Sequence, residues 1–237
     1  MDNHIILVEF NLPQNPPKPI YEGDPCWMQT RLELFETYTL PSFASQTNKE
    51  FFLILLCDPD TPKKFKEKLL GYTDQFSFVK IIWARTSGPE INSQILELYN
   101  SCRTNTTDII LASRCDNDDS VHITYVDTIK STLDKEYKVL SLTKGIFWDT
   151  KSNKFLDSSF PTGPFITTKS NIKEFFNPFS YTHHDMVLKQ NSIVLNTEYP
   201  MWLVLCHGGN LWNQLDRMPG KETNFNLEDI KPHFGLL

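Results

Sequence analysis

No stretch of this chain reaches the ~18 consecutive apolar residues that a membrane-spanning helix needs. The amino terminus has no basic region ahead of its short apolar run, so it does not read as a secretory leader. Positive charge is scarce as well: 23 Lys and Arg stand against 29 Asp and Glu, a net charge of -6. Phosphate-backbone affinity comes from clustered cations, and no basic stripe is present, which argues against a nucleic-acid partner. Cys26, Cys57, Cys102, Cys115 and Cys206 are widely spaced and free of any C-x-x-C pattern. They predict buried free thiols rather than a disulfide framework. Repeats and low-complexity segments are missing. The expectation is a cytoplasmic protein with no transmembrane segment, in which the sequon at Asn105 carries no meaning.

What is present is an alternation of buried strands and amphipathic helices. Residues 4–12 read as a strand, followed by a proline-rich loop at 13–19. Asp24-Pro25 supplies a helix start, with Met28, Leu32, Phe35 and Thr39 at helical spacing and Pro41 ending or kinking the helix. Residues 51–57 are continuously apolar, the mark of a central strand buried on both faces. A helix from Thr61-Pro62 to about residue 70, a strand at 76–83, a helix at 89–103, a strand at 108–113 and a helix at 121–133 follow. This order predicts an α/β fold with a mostly parallel central sheet and helices on both faces. Ligands of such sheets sit beyond the carboxyl ends of the strands. Phe10, Asn11, Asp58, residues 83–85 and residues 114–119 are therefore expected to line one crevice. The second half predicts a smaller mixed β region: strands at 137–142, 145–149, 154–156 and 165–168, a short helix capped by Ser170, and a helix opening at His183-His184-Asp185. One strand-like stretch then covers 193–205. The last ~20 residues lack periodicity and are expected to wrap the surface or move.

The strand at 108–113 runs straight into Arg114-Cys115-Asp116-Asn117-Asp118-Asp119. Three carboxylates within four residues repel one another, and a divalent cation resolves the conflict. Oxygen donors suit Mg or Mn, and such a metal can hold a diphosphate leaving group. A solvated turn is the plain alternative. A calcium loop would use Asp116, Asp118, Ser120 and Asp127, but Val121 stands where such loops need glycine.

The cluster resembles the DxD motif of GT-A-type glycosyltransferases. More narrowly, the chain is similar to the rhamnosyltransferase family of bacteria and viruses. The resemblance rests on Trp27-x-x-x-Arg31, Leu34-Phe35-Glu36-x-Tyr38-x-Leu40-Pro41-Ser42, Ala44-x-Gln46-Thr47, Asp58 with Thr61-Pro62, Arg114-x-Asp116-Asn117-Asp118-Asp119, and Trp202-Leu203 through His207-Gly208-x-Asn210. It covers about residues 5–213. It implies one GT-A (Rossmann-like) domain over 1–237, with a nucleotide-binding half at about 1–119, an acceptor-side half at about 120–213 and a tail at 214–237.

By this resemblance the protein takes a sugar, rhamnose or another hexose, from a UDP, dTDP or GDP donor and passes it to a glycan or other hydroxyl, with inversion. Phe10, Asn11 and Asp58 would hold the nucleotide, with Arg31 and Arg114 near the diphosphate. Asp116 would touch the metal or the ribose, Asp118 would ligate Mn2+ or Mg2+, Asp119 would meet the sugar, and His207 would complete the metal shell. Asp185 would be the catalytic base, with Asp157 and Glu198 in reserve, although His184 stands where related motifs carry a second acid. Two other functions compete: nucleotidyl transfer or nucleotide-sugar hydrolysis in the same pocket, and non-catalytic carbohydrate binding. The proline-rich loop after the first strand, whose one cation is Lys18, counts against nucleotidyl transfer.

Overall fold

The computed structural model describes residues 3–13, 26–104, 106–208 and 214–236. The proline-rich loop, the Asp24-Pro25 helix start, Lys18, Asn105 and Asn210 fall wholly or mainly outside them. Alternate residues of β1 (His4–Glu9) serve two cores: Ile6 and Val8 pack on one side, Ile5 and Leu7 on the other. A strand apolar on both faces needs cover on both. Helices supply it. Arg31 rides on α1 (Trp27–Leu34), which is followed by a π-turn at Phe35–Thr39 and by α2 (Leu40–Ala44). β2 (Phe52–Cys57) leads to α3 (Lys63–Gln75), which buries Phe65, Leu69 and Tyr72 at helical spacing against the first core. β3 (Val79–Trp83) leads to α4 (Asn92–Cys102), whose Ile95 and Tyr99 cover the second.

β4 (Ile109–Asp116) lies beside β1, so the strand reaches the acidic cluster itself rather than stopping at residue 113. After it come β5 (Ser120–Val121), α5 (Tyr125–Lys130), β6 (Val139–Leu142), β7 (Lys144–Asp149), β8 (Lys154–Ser159), β9 (Ile166–Asn171), α6 (His183–Lys189), β10 (Ser192–Leu195), β11 (Trp202–Cys206), β12 (Lys221–Thr223) and α7 (Leu227–Ile230). The larger sheet has the order β10-β6-β9-β4-β1-β2-β3. β1 to β4 pair in parallel, and so do β6 and β10, while β9 runs antiparallel to both β4 and β6. The sheet is therefore mixed, and strands from both halves of the chain build it. The smaller sheet, β12-β8-β7-β11-β5, is mixed too.

Several expectations are corrected. Pro41 does not end the helix: Leu40 N–H bonds to Phe35 O five residues back, and Pro41 falls in the first turn of α2, where a missing N–H is harmless. Residues 121–133 are not one helix, because Val121 pairs with Trp202 before α5 begins. The stretch 193–205 divides between β10 and β11, which lie in different sheets. Ser170 lies within β9, and Asn171 instead caps the short 3-10 turn at Ile172–Glu174. The carboxyl-terminal segment is packed: Ile230, Phe234 and Leu236 are buried with Ile146, Trp148, Leu203 and Leu205 against the outer face of the smaller sheet. All five cysteines are free thiols, as expected, although Cys26 is exposed.

Candidate active site

β4 leaves the larger sheet at Asp116, turns through Asn117 and Asp118, and enters the smaller sheet at Ser120. The acidic segment is thus the seam between the sheets. Asn117 anchors the turn by donating its side-chain amide to Phe10 O at 2.5 Å. Asp118 comes out of the turn facing α1 and the end of β11. Arg31 Nη1 donates to Asp118 Oδ2 at 2.5 Å and reaches Asn117 Oδ1 at 3.3 Å. His207 Nε2 meets the same Asp118 oxygen at 2.8 Å. Trp27 lies against the Arg31 guanidinium, 5.3 Å from ring centroid to Cζ. Burial opposes ionisation of Asp118, but the His207 hydrogen bond and the Arg31 charge outweigh it and hold the carboxyl below its ordinary range.

The neighbouring acids differ. Partial desolvation raises Asp116, whose side chain is still 41% exposed, to about 6 against the pull of Arg114, while Asp118 and Glu9 add to the rise. Arg114 lies 3.7 Å from Asp116 and stacks its guanidinium over Phe179 at 4.7 Å. Asp119 is fully buried, and its Oδ1 accepts from Leu205 N at 2.8 Å, which ties the seam to β11. Its Oδ2 has no hydrogen-bond partner among the described residues. Burial first, then the charges of Asp118 and Asp116, push its pKa well above the carboxylate range.

The ends of β1 and β2 are built into turns. Asn11 donates to Thr61 Oγ1 at 2.8 Å and accepts from Asp58 N at 3.2 Å, stitching the ends of β1 and β2 together. Asp58 accepts from Asp60 N at 2.8 Å and lies 3.8 Å from Arg85 Nη1. The Phe10 ring does not face the crevice: it is buried and packs edge-on against Phe35 at 5.2 Å, leaving its carbonyl as its contribution to the site.

The family described as "Putative rhamnosyl transferase" matches residues 18–215. The chain belongs to that family. No curated protein matches this rhamnosyl transferase-family chain significantly. Two crystal structures of S. aureus TarS 1-349, one in complex with UDP, are 11% and 12% identical to it and cover 85% and 86% of it, each with a TM-score of 0.47. The chain spans 60% of those TarS chains.

Within this family member the structure brings Arg31, Asp118 and His207 to one point and leaves Asp116 facing Arg114. Asp119 points inward rather than toward a sugar. Asp185 stands in the first turn of α6, where its N–H bonds to Thr182 Oγ1 at 3.2 Å and its carboxylate pairs with Lys189 at 3.0 Å. At the start of α6, burial and then the charges of Arg114 and His184 lower His183 to about 4. Asp157 and Glu198 line a separate cavity beside Lys144 and Pro200, at the beginnings of β7 and β11, and are remote from His207.

One acid escaped the sequence reading. Asp149 ends β7 beside Cys206 and lines a cavity of about 530 Å³ with Lys151, Cys206, Gly208 and Asp216. Burial, then the charges of Asp119, Asp149 and Asp118, push the Cys206 thiol up to about 12. The available signal was the apolar run at 145–148 ending in an acid, the same pattern that exposed the Asp116 cluster.

Proposed function

We propose that this protein moves a sugar from a UDP-, dTDP- or GDP-linked donor to a hydroxyl of a glycan acceptor, with inversion at the sugar carbon. One observation carries the reading: Arg31 and His207 converge on a single oxygen of Asp118, at the seam where β4 and β11 end. The crevice offers Arg31 and Arg114 as cations for a diphosphate. The Asn11, Asp58 and Thr61 turns give the nucleotide a rigid floor.

The same seam supports a divalent cation. Asp118 Oδ2 and His207 Nε2 lie 2.8 Å apart, an oxygen and an imidazole donor that would hold such an ion together. Among the described residues, no three His, Cys, Asp or Glu side chains converge. Asp118 and His207 would therefore be its protein ligands. Imidazole ligation favours Mn2+ over Mg2+. When bound, the ion offsets the charge that builds on the departing nucleoside diphosphate.

The acceptor enters the cavity beside His207. Asp149, at its wall, takes the proton of the attacking hydroxyl.

The test is a panel of nucleotide sugars with and without Mn2+, followed by product analysis. Wild-type protein is expected to release nucleoside diphosphate, whereas nucleoside triphosphate and sugar 1-phosphate formed only when pyrophosphate is added would indicate nucleotidyl transfer. Asp118→Asn and His207→Ala are expected to weaken Mn2+ binding in calorimetric titration and to slow turnover by about 100-fold, the scale of losing one transition-state contact. Full turnover by Asp118→Asn at saturating Mn2+ would sink the cation assignment.

A further inference from the structure

A second cavity, of about 340 Å³, opens at the beginnings of β7 and β11, beside Lys144 and Pro200. At ~3.3 Å per strand residue, residues 200–207 place it roughly 20 Å from His207 along β11. Three rings form one wall. His122 lies 6.1 Å from Tyr199 at an interplanar angle of 10° and 5.7 Å from His233 at 18°, and Tyr199 lies 6.4 Å from His233 at 15°. Tyr199 is 54% exposed. Phe225 and Phe234 extend the apolar lining, while the exposed carboxylates of Asp157, Glu198 and Asp229 stand on the rim.

Donors are present too. Lys144 Nζ donates to Glu198 O at 3.2 Å. His122 Nδ1 accepts from Thr124 N at 3.2 Å, so the neutral ring carries its proton on Nε2. That N–H, shielded behind the neighbouring rings, has no partner among the described residues.

We propose that this cavity is a saccharide-binding site, separate from the donor crevice, that holds a neutral sugar with its apolar face on the Tyr199 wall. Sugar hydroxyls donate and accept at once, which matches carboxylate acceptors beside the Lys144 donor. An organic cation fits less well: recognition of a cation uses ring faces turned inward around the charge, whereas these rings are parallel and donors stand among them. Three carboxylates oppose an anion. The site retains a glycan; it transfers nothing, and it does not depend on the donor assignment.

The test uses saturation-transfer NMR and calorimetry with glucose- and rhamnose-based neutral tetrasaccharides, and with tetramethylammonium for comparison. Wild-type protein is expected to bind at least one tetrasaccharide with a millimolar Kd. Tyr199→Ala should weaken that binding by about tenfold, the order expected for losing an aromatic face, while Tyr199→Phe should keep it. Donor turnover is expected to be unchanged in both variants. The proposal is overturned if neither tetrasaccharide binds at up to about 10 mM, if tetramethylammonium binds in their place, if Tyr199→Ala leaves saccharide binding intact, or if donor turnover falls in parallel with it.

Discussion

Replacing Asp119 by Asn tests whether its carboxyl works from the interior or from the crevice. Asn keeps the shape and leaves Oδ1 to accept from Leu205 N. The native carboxyl is fully buried and titrates well above its ordinary range, chiefly through burial and then through Asp118 and Asp116. The folded state therefore holds a proton that the unfolded chain releases above about pH 4. Between the unfolded and folded pKa values the folded state binds more protons, so this group's contribution to stability falls as pH rises, by about 1.4 kcal/mol per unit. Asn cannot titrate. Asp119→Asn is therefore expected to gain stability relative to wild type by about 1.4 kcal/mol for each pH unit above about 4.5, until the folded pKa is reached. Urea denaturation at three pH values, without divalent cations, measures the slope. Asp119→Ala removes the acceptor of Leu205 N and should cost about 1–3 kcal/mol for the unmet amide, with a further cost for the cavity. A flat pH difference for Asp119→Asn, together with lost turnover at full stability, would refute the interior role and restore Asp119 as a group that meets substrate.

His4 is fully buried, bonds Ser113 Oγ at 2.7 Å and is lowered to about 3 by burial and by the Lys130 charge. The unfolded chain takes up that proton below about 6.5, so stability is full above that pH and declines as pH falls, by about 2 kcal/mol at pH 5. His4→Gln should lessen that decline in urea titrations at pH 7 and 5, and an unchanged decline would place the acid sensitivity elsewhere. A Cβ on Gly145 would lie 1.8 Å from the Trp202 ring, which is buried. Gly145→Ala is therefore expected to cost about 3 kcal/mol and lower Tm by roughly 6–12 °C, read by calorimetry. Arg31→Ala, which removes one partner of Asp118, should weaken nucleoside-diphosphate binding by about tenfold at low salt, and equal affinity would remove Arg31 from the phosphate site.

The carboxyl ends of β1, β2 and β4 were legible because each is a buried apolar run that stops at a polar residue: Asn11, Asp58 and the Asp116 cluster. His207 was legible for the same reason, since it follows the apolar run of β11. Strand direction was not. A hydrophobic pattern has no polarity, so nothing in residues 165–168 announces that β9 inserts antiparallel between β4 and β6. The same blindness put Asp157 and Glu198 in reserve for catalysis, although they stand at the end of the smaller sheet away from His207. Pro41 misled because a π-turn absorbs it, and π-turns depend on tertiary packing rather than on local composition.

The acidic segment also shows why a motif alone does not assign roles. Within β4 the alternation of side chains decides which way each residue faces, but the turn at Asn117 and Asp118 resets that alternation before Ser120 joins β11. Asp118 consequently emerges toward Arg31 and His207, while Asp119, next in sequence, turns inward to hold Leu205. Charge then separates the two further, because the His207 hydrogen bond and the Arg31 charge keep Asp118 ionised, whereas burial and two acidic neighbours favour the neutral form of Asp119 against the pull of the Leu205 amide. The seam needs both. An inward Asp119 fixes β11, and a fixed β11 is what delivers His207 to the outward Asp118. Loss of the Asp119–Leu205 bond should therefore loosen the Asp118–His207 contact without touching either residue. In Asp119→Ala, Mn2+ affinity should fall even under conditions where the fold is retained, and Asp119→Asn should restore it.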